Sequence, residues 1–314
     1  MRTSRNTAIR EIQALDLPRK VVAHVTSASW KSVPHVTYLY EPDITNFHIA
    51  FENLAAARSE RTTGAGKLSF NTILIKAIVQ GLLAAPKLNS LFEYNARTAE
   101  GRLQVCSDIN ISLPWLVRDG RMIAPIIARA NEMSLDDISD FVAALADRIE
   151  RTNIDELIFE LAYAKMVEEF GSLRFGMIPR VLSSVFGRGR PARLRGKERE
   201  TYYRQPESLR LTKKDILGGT VTVSNVGALY REQQGHFGLL EVIPPQVLAV
   251  GVSAIQEKPG IFMDRDRNQQ IGIRKFLPIC LAFDHRAIDF DALVPFLRRM
   301  DEIFARPAEE ILAW

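Results

Sequence analysis

The order of apolar patterns along the chain constrains its fold more than any other feature of the sequence. Strand-like runs come in groups, at residues 35–41, 105–113, 123–127, 220–224, 247–253 and 271–283. Between the groups lie segments in which apolar residues recur at the spacing of an amphipathic helix, beginning near residues 43, 69, 134 and 291. Strand groups separated by long helices are typical of a layered α/β sandwich.

The predicted helices carry recognisable start and stop signals. Asp43, Ser69 and Ser134 stand where an N-cap residue is needed, and Ser134 with Asp137 resembles a capping box. Pro86 should stop the second helix. The final helix, from about residue 291 to 304, presents an inward stripe made of Leu293, Phe296, Leu297, Met300 and Phe304.

Charge is concentrated in one segment. Eleven of the Lys and Arg residues and five Glu lie at about 165–210, a local balance of +6 in a chain of net charge +4. We therefore predict a single domain over 1–314 that contains a basic and apolar insertion at about 165–210, flexible or partly helical. Because the excess belongs to this segment, it does not indicate a nucleic-acid-binding fold.

Several signals favour a cytoplasmic protein. Cys106 and Cys280 lie far apart in apolar stretches, which predicts two buried thiols and no disulfide framework. The first twenty residues have no apolar signal-peptide core. The apolar run 73–85 is interrupted by Lys76 and Gln80 and is too short for a bilayer. The histidines show no metal-ligand spacing, so we expect no metal site.

The segment PICLAFDHRAIDFDA is one candidate for chemistry. An apolar strand ends in Asp284, His285 and Arg286, and Asp289 follows four residues after the histidine. A histidine held by charged neighbours can take a proton from a thiol near neutral pH. From residue types alone, a purely structural strand end would be the stronger interpretation.

The segment GGTVTVSNVGALY is a second candidate. Its strand places Thr220, Thr222 and Ser224 on one face, and Asn225 with Gly227 indicates a turn. A hydroxyl at a strand end can donate to a developing oxyanion. Taken alone, the segment is also compatible with an ordinary strand and turn.

Taken in order, these segments resemble the catalytic domain of the dihydrolipoamide acyltransferases, the core components of 2-oxo acid dehydrogenase complexes. Asp284–Asp289 is similar to the family's D-H-R-x-x-D-G, Gly218–Gly227 to G-G-T-F-T-I-S-N-x-G, and Ile243–Val252 to N-P-P-Q-V-A-I-L-G-V. The resemblance covers roughly 17–149 and 218 to the end. It implies an α/β fold shared with chloramphenicol acetyltransferase, a layered sandwich with a mixed β-sheet and flanking helices.

The resemblance also implies roles for individual residues. His285 would be the general base that deprotonates a thiol, Ser224 would stabilise the tetrahedral oxyanion, and Asp289 would fix the surroundings of His285. Arg286 would be structural, and Asn225 and Arg286 are the candidate contacts of the cofactor, coenzyme A. The family's site lies between subunits, so a homotrimer is expected, and a larger core built from trimers is compatible with it.

The sequence departs from the family in three places. Phe290 replaces the glycine of the family's ending, and the connection at about 151–217 is much longer. There is no lipoyl domain and no peripheral-subunit-binding domain in the sequence, so we expect no lipoyl group on this chain. Its partner would then be a separate lipoyl or acyl carrier protein.

Three functions remain open from the sequence. The leading one is acyl transfer between coenzyme A and a thiol on a lipoyl or phosphopantetheine arm. The second is acyl-CoA-dependent acylation of a small-molecule amine or hydroxyl, and the third is a non-catalytic trimeric scaffold. The basic insertion could bind an acidic carrier or the phosphates of coenzyme A, or be a solvated loop. Contact with an anionic membrane is a weaker alternative, and no nucleic-acid partner is expected.

Overall fold

The computed structural model describes residues 8–13, 15, 17–61, 68–171, 194–264, 266–312 and 314. The helices are α1 (Leu17–Ser32), α2 (Thr45–Arg61), α3 (Phe70–Ala84), α4 (Leu135–Arg151), α5 (Ile154–Gly171), α6 (Gly196–Arg204), α7 (Phe290–Ala305) and α8 (Pro307–Leu312). The strands are β1 (His35–Tyr40), β2 (Ser90–Asn95), β3 (Glu100–Val105), β4 (Ile111–Ser112), β5 (Trp115–Leu116), β6 (Met122–Ile123), β7 (Ile126–Ile127), β8 (Val221–Asn225), β9 (Leu248–Val252), β10 (Gln256–Met263), β11 (Gln269–Phe276) and β12 (Ile279–Asp284).

The chain divides into two compact units. The smaller unit draws on residues 1–25 and 153–204, and the larger on 26–152 and 205–314. In the smaller unit the buried carboxylate of Glu156 in α5 accepts hydrogen bonds from the Leu194 amide at 2.8 Å and the Tyr203 hydroxyl at 2.9 Å. This carboxylate therefore ties α5 to α6, and the Tyr203 pKa is raised by burial and by that hydrogen bond.

A six-stranded mixed sheet forms the centre of the larger unit. Its order is β1-β12-β9-β8-β4-β7, in which β8 is parallel to both β9 and β4 and the other neighbours are antiparallel. The pairs β2–β3, β5–β6 and β10–β11 form separate two-stranded ribbons. The predicted α/β architecture with a mixed sheet and flanking helices is thereby confirmed.

Helices α2, α3, α4 and α7 cover one face of this sheet. Alternate residues of β8, β9 and β12, such as Val223, Val250 and Leu281, join the α3 and α7 side chains in one core. Helix α3 packs closely on α7. A Cβ added to Gly81 of α3 would lie only 2.6 Å from the Phe296 ring of α7. The opposite face carries a smaller apolar cluster that includes Ala249 and Ala282.

The predicted N-caps Ser69 and Ser134 are confirmed, whereas α2 begins at Thr45, one residue later than an N-cap at Asp43 requires. The Ser69 hydroxyl accepts the Thr72 amide at 3.1 Å, and Ser134 with Asp137 forms a complete capping box. Asp43 accepts the amide of Thr45, where α2 begins. Of the predicted stripe on α7, Leu297 is only partly buried and the other four side chains are buried.

Three strand predictions are wrong. Residues 105–113 do not form one strand, since β3 ends at Val105 and only Ile111–Ser112 pairs within the central sheet. Residues 271–283 form two strands, because the chain passes from the β10–β11 ribbon into the central sheet at Leu277 and Pro278. Residues 123–127 likewise divide between β6 and β7.

The thiols and the insertion also differ from expectation. Cys280 is buried in β12, whereas Cys106 follows β3 and is only half-buried. The predicted insertion at about 165–210 falls mostly on residues 172–193, which lie outside the described residues, and α5 and α6 occupy its described ends. None of the described helices is both long enough and apolar enough to cross a membrane.

Candidate active site

The turn after β12 presents His285. Strand β12 lies between β1 and β9 and ends at Asp284. The His285 amide donates to the Pro34 carbonyl oxygen at 3.1 Å, and the amides of Ala287 and Ile288 donate to the Asp284 carbonyl oxygen. Because the backbone of the turn is hydrogen-bonded on both sides of His285, the imidazole leaves the sheet from a fixed position.

A carboxylate lies beside this imidazole. Asp289 Oδ1 is 3.1 Å from His285 Nδ1, and the two side chains are 76% and 51% exposed. Asp289 occupies the N-cap position of α7 in an extended conformation, φ −109° and ψ 176°. A carboxylate at Nδ1 favours the tautomer protonated there, which leaves Nε2 able to accept a proton. The predicted His285–Asp289 pair is therefore assembled within one chain.

Asp284 and Arg286 hold the same turn. The Arg286 guanidinium binds the Asp284 carboxylate through two hydrogen bonds, at 3.0 and 2.6 Å, and Asp284 is 2% exposed. The guanidinium also lies over the rings of Phe92 and Tyr94, 5.6 and 5.2 Å from their centroids. The hydrogen bonds that Arg286 donates to Asp284 raise the Arg286 pKa. These contacts support the predicted structural role of Arg286, while its contact with coenzyme A stays a prediction.

Ser224 and Asn225 end β8 on another part of the sheet. Ser224 pairs with Gly251 of β9, and within the described residues its hydroxyl makes no hydrogen bond. Asn225 donates to Asn71 Oδ1 at 2.9 Å and accepts the Ala228 amide at 3.1 Å, which closes the predicted turn. The Asn225 amide group thus serves the turn, and its contact with coenzyme A also stays a prediction.

The strand register separates Ser224 from His285 within one chain. Ser224 stands opposite Gly251, and Gly251 stands opposite Cys280, four residues before Asp284. Two strand spacings and four residues along a strand put Ser224 about 16 Å from Asp284. Groups that act on one reacting carbon must lie within about 3–3.5 Å of it. Within one chain, His285 and Asp289 are therefore in contact, whereas Ser224 is too far away to act on the same carbon atom.

A cavity that the sequence did not predict lies at Leu39 of β1, at the far end of the row of paired residues that starts at Ser224 of β8. The row continues through Gly251 and Cys280 to Leu39 of β1, and the Phe237 ring covers Gly251. The cavity holds about 250 Å³ and is lined by Leu39, Tyr40, Glu41, His236, Phe237, Lys258, Pro278 and Ile279. Its lining comes from four separate parts of the chain, which explains why no sequence motif marks it.

The buried ion pair of Asp284 is a feature that the sequence analysis did not predict. An acidic residue at the last position of an apolar strand is a signal of such a pair. Within the described ranges, no three His, Cys, Asp or Glu side chains are grouped so that they could bind a metal.

The family model of the 2-oxoacid dehydrogenases acyltransferase (catalytic domain) matches residues 8–157 and 197–312. The match leaves out 158–196, which overlaps the predicted insertion. It includes both β8 with Ser224 and the turn of His285 and Asp289.

Individual proteins agree with this match. The lipoamide acyltransferase component of the branched-chain alpha-keto acid dehydrogenase complex of Bacillus subtilis is 25% identical over 91% of this chain. That alignment covers 50% of the relative, so the chain spans about half the length of this curated relative.

Two solved structures show the same fold. A probable dihydrolipoamide acetyltransferase from Listeria monocytogenes superposes with a TM-score of 0.64 at 22% identity, covering 96% of this chain and 97% of the other. The cubic core of the pyruvate dehydrogenase multienzyme complex gives 0.63 at 21% identity, covering 98% and 96%. With its motifs, its fold and a family match over most of its length, the chain belongs to the 2-oxoacid dehydrogenase acyltransferase family, as a catalytic domain.

Proposed function

We propose that this chain transfers an acyl group between coenzyme A and a second thiol, carried on a lipoyl or phosphopantetheine arm of a separate protein. His285 Nε2 takes the proton of the attacking thiol while its sulfur adds to the thioester carbonyl carbon. The tetrahedral intermediate then expels the other sulfur as a thiolate, which takes the proton back from His285. The reaction exchanges one thioester for another and regenerates the neutral imidazole.

One observation carries this proposal: the contact of 3.1 Å between His285 Nδ1 and Asp289 in a member of this family. Asp289 orients the ring and stabilises the imidazolium that forms during the transfer. A thiol needs only modest help to ionise, because its ordinary pKa is about 8.5. The histidine and carboxylate thus supply what thiol activation requires.

The proposal includes a homotrimer in which Ser224 of one copy faces His285 of a neighbour. The separation of about 16 Å within one chain, from strand spacing and rise, supports this division of the site. There the Ser224 hydroxyl would donate to the oxyanion of the intermediate. Asn225 and Arg286 are proposed as contacts of coenzyme A.

The remaining parts of the proposal concern context. The two free cysteines, Cys106 and Cys280, support a reducing, cytoplasmic location. We keep the interpretation of 1–314 as one catalytic domain with an insertion at about 165–210. The insertion would bind an acidic carrier protein through its excess of positive charge.

The first test is the release of free coenzyme A from acyl-CoA with dihydrolipoamide as acceptor. His285→Ala should lower the rate about a hundredfold or more, because a positioned base is lost. His24→Ala, which removes an exposed histidine of α1, is the matched control and should keep the native rate. Equal rates for native protein and His285→Ala would contradict the role of His285. No turnover of any acyl-CoA by the native protein would contradict acyl transfer.

A further inference from the structure

Two half-exposed aromatic rings stand next to the turn of His285. Phe290 directly follows Asp289 and is 46% exposed, and Tyr38 of β1 is 36% exposed. Their ring centroids are 5.0 Å apart, with an angle of 58° between the planes. The two rings thus support each other and leave a common apolar surface open at this end of the sheet.

Both rings are fixed by regular structure. Tyr38 pairs with Leu281 of β12 and lies on the same sheet face as Val36 and Tyr40, which contact the core. Phe290 is the first residue of α7, a helix anchored by its buried stripe. An aromatic surface that is already held in place loses little conformational freedom when a ligand binds to it.

The proposed base, His285, lies on the same side of the sheet as these two rings. The His285 ring meets the ring of Phe283, a core residue, edge to face with centroids 6.1 Å apart. Because Asp289 contacts His285 Nδ1 and Phe290 is its neighbour in sequence, the aromatic pair begins within one residue of the catalytic contact. Phe290 is therefore the aromatic residue closest in sequence to the contact between His285 and Asp289.

The charges around Phe290 are acidic. Asp289 and Asp291 flank it on both sides and are exposed. The nearby cation, Arg286, is bound by the carboxylate of Asp284 through two hydrogen bonds. A second carboxylate brought to Phe290 would be repelled by its two acidic neighbours.

We infer that Phe290 and Tyr38 determine acyl specificity and select uncharged, apolar acyl groups larger than acetyl. The inference rests on the proposed acyl transfer and adds the class of substrate. Each methylene or methyl group buried against the rings should favour binding about fourfold. A branched acyl group should therefore be preferred over acetyl for its apolar area, and over succinyl because it carries no carboxylate.

The experiment measures kcat/KM of the full chain with acetyl-, isobutyryl-, isovaleryl- and succinyl-CoA, with dihydrolipoamide as acceptor. The native protein should prefer isovaleryl-CoA over both acetyl- and succinyl-CoA by about tenfold or more, as several buried carbon atoms require. Phe290→Ala and Tyr38→Ala should each lower the ratio of isovaleryl to acetyl severalfold. Phe290→Leu, which keeps an apolar side chain, should retain part of it.

Tyr163→Ala is the matched control, since Tyr163 is an aromatic residue of α5 that is 55% exposed. It should leave the isovaleryl-to-acetyl ratio at the native value. If Phe290→Ala does not fold, as judged by its circular dichroism, Phe290→Leu and Tyr38→Ala decide the question alone.

Three results would overturn the inference. An isovaleryl-to-acetyl ratio that is the same in the native protein and the ring variants removes the rings from specificity, while activity that depends on His285 keeps the proposed function intact. A changed oligomeric state with an unchanged ratio assigns the rings to a subunit contact instead. No turnover of any acyl-CoA, with or without substitutions, removes the proposed function together with the inference.

Discussion

Asp284 illustrates how a single buried charge can serve a neighbouring site. Its carboxylate is almost fully removed from water, and Arg286 satisfies it with two hydrogen bonds while also stacking over aromatic rings. A buried ion pair adds little stability relative to apolar residues, but removing one partner leaves an uncompensated charge. The pair therefore acts mainly by fixing the turn from which His285 projects.

Asp284→Ala should destabilise the fold by about 1–3 kcal/mol, because the Arg286 guanidinium and the Arg286 amide lose the carboxylate that accepts their hydrogen bonds. The rate of acyl transfer should fall as well, since the turn of His285 loosens. Urea denaturation and the coenzyme A release assay measure the two effects.

The chain offers a matched control in Asp119, which also pairs with an arginine two residues later, Arg121 at 2.5 Å. The Asp119 side chain is 47% exposed, so Asp119→Ala should cost no more than about 1 kcal/mol. If Asp284→Ala and Asp119→Ala lowered the free energy of unfolding equally, the burial of the Asp284–Arg286 pair would have no special role.

The secondary structure elements show where sequence patterns are sufficient and where they are not. Capping signals at Ser69 and Ser134 gave correct helix starts, because a cap depends on residues within one turn. The strand at 271–283 was predicted as one element, since Ile271 and Ile273 look like core residues. They are 79% and 76% exposed on the β10–β11 ribbon, and apolar character alone does not separate such positions from the interior.

The start of α2 depends on a charge that titrates. Asp43 accepts hydrogen bonds from the Thr45 amide and hydroxyl at 2.9 and 2.6 Å, and from Arg274 of β11 at 2.7 Å. Burial alone would raise the pKa of Asp43, but the hydrogen bonds from Thr45 and Arg274 outweigh it and lower that pKa. This carboxylate therefore joins α2 to the β10–β11 ribbon in its ionised form.

A lowered pKa in the folded state fixes the direction of the pH dependence. The stabilisation by Asp43 is fully present above the ordinary aspartate pKa of about 3.9 and is lost as the pH falls through the lower folded value. Asp43→Asn should lower the free energy of unfolding by about 1.5–3 kcal/mol near neutral pH, the range for hydrogen bonds to charged groups. The difference from the native protein should shrink in strong acid.

Denaturant unfolding across a pH series measures this difference in the free energy of unfolding. Thr45→Ala is the comparison variant: it keeps the Asp43–Arg274 ion pair, so it should lose less stability than Asp43→Asn at neutral pH. A difference between native protein and Asp43→Asn that stays constant with pH would show that the charge of Asp43 is not involved.

At the scale of the whole molecule, the candidate site is only half predictable from the sequence. The approach of Asp289 to His285 follows from a spacing of four residues across a strand end, and the structure contains it. The place of Ser224 depends instead on the strand order β12-β9-β8 and on its register. No local pattern encodes that order, so the separation of Ser224 from His285 becomes visible only in the folded chain.

Mixing two inactive variants tests the division of the site between copies. Ser224→Ala and His285→Ala should each be nearly inactive alone, but trimers assembled from an equal mixture should recover about a quarter of the native activity. That fraction follows because each heterologous contact needs an intact serine from one copy and an intact histidine from the next. The release of coenzyme A before and after dissociation and reassembly of the mixture measures it.

A mixture of native protein with the double variant serves as the control for reassembly. In this mixture a contact is complete only where two native copies meet, so about a quarter of the contacts should be active. A mixture of the single variants that stays inactive, while this control is active, would contradict the division of the site between copies.

The distance between Ser224 and His285 also bears on how such a chain evolves. In the proposed assembly the two residues meet only between copies, so selection can preserve the pair only in chains that associate. Correlated changes at positions 224 and 285 among related sequences would then report a contact between molecules. If the same correlation were used as a distance restraint within one molecule, it would require Ser224 and His285 to meet in a single chain and would give a wrong structure.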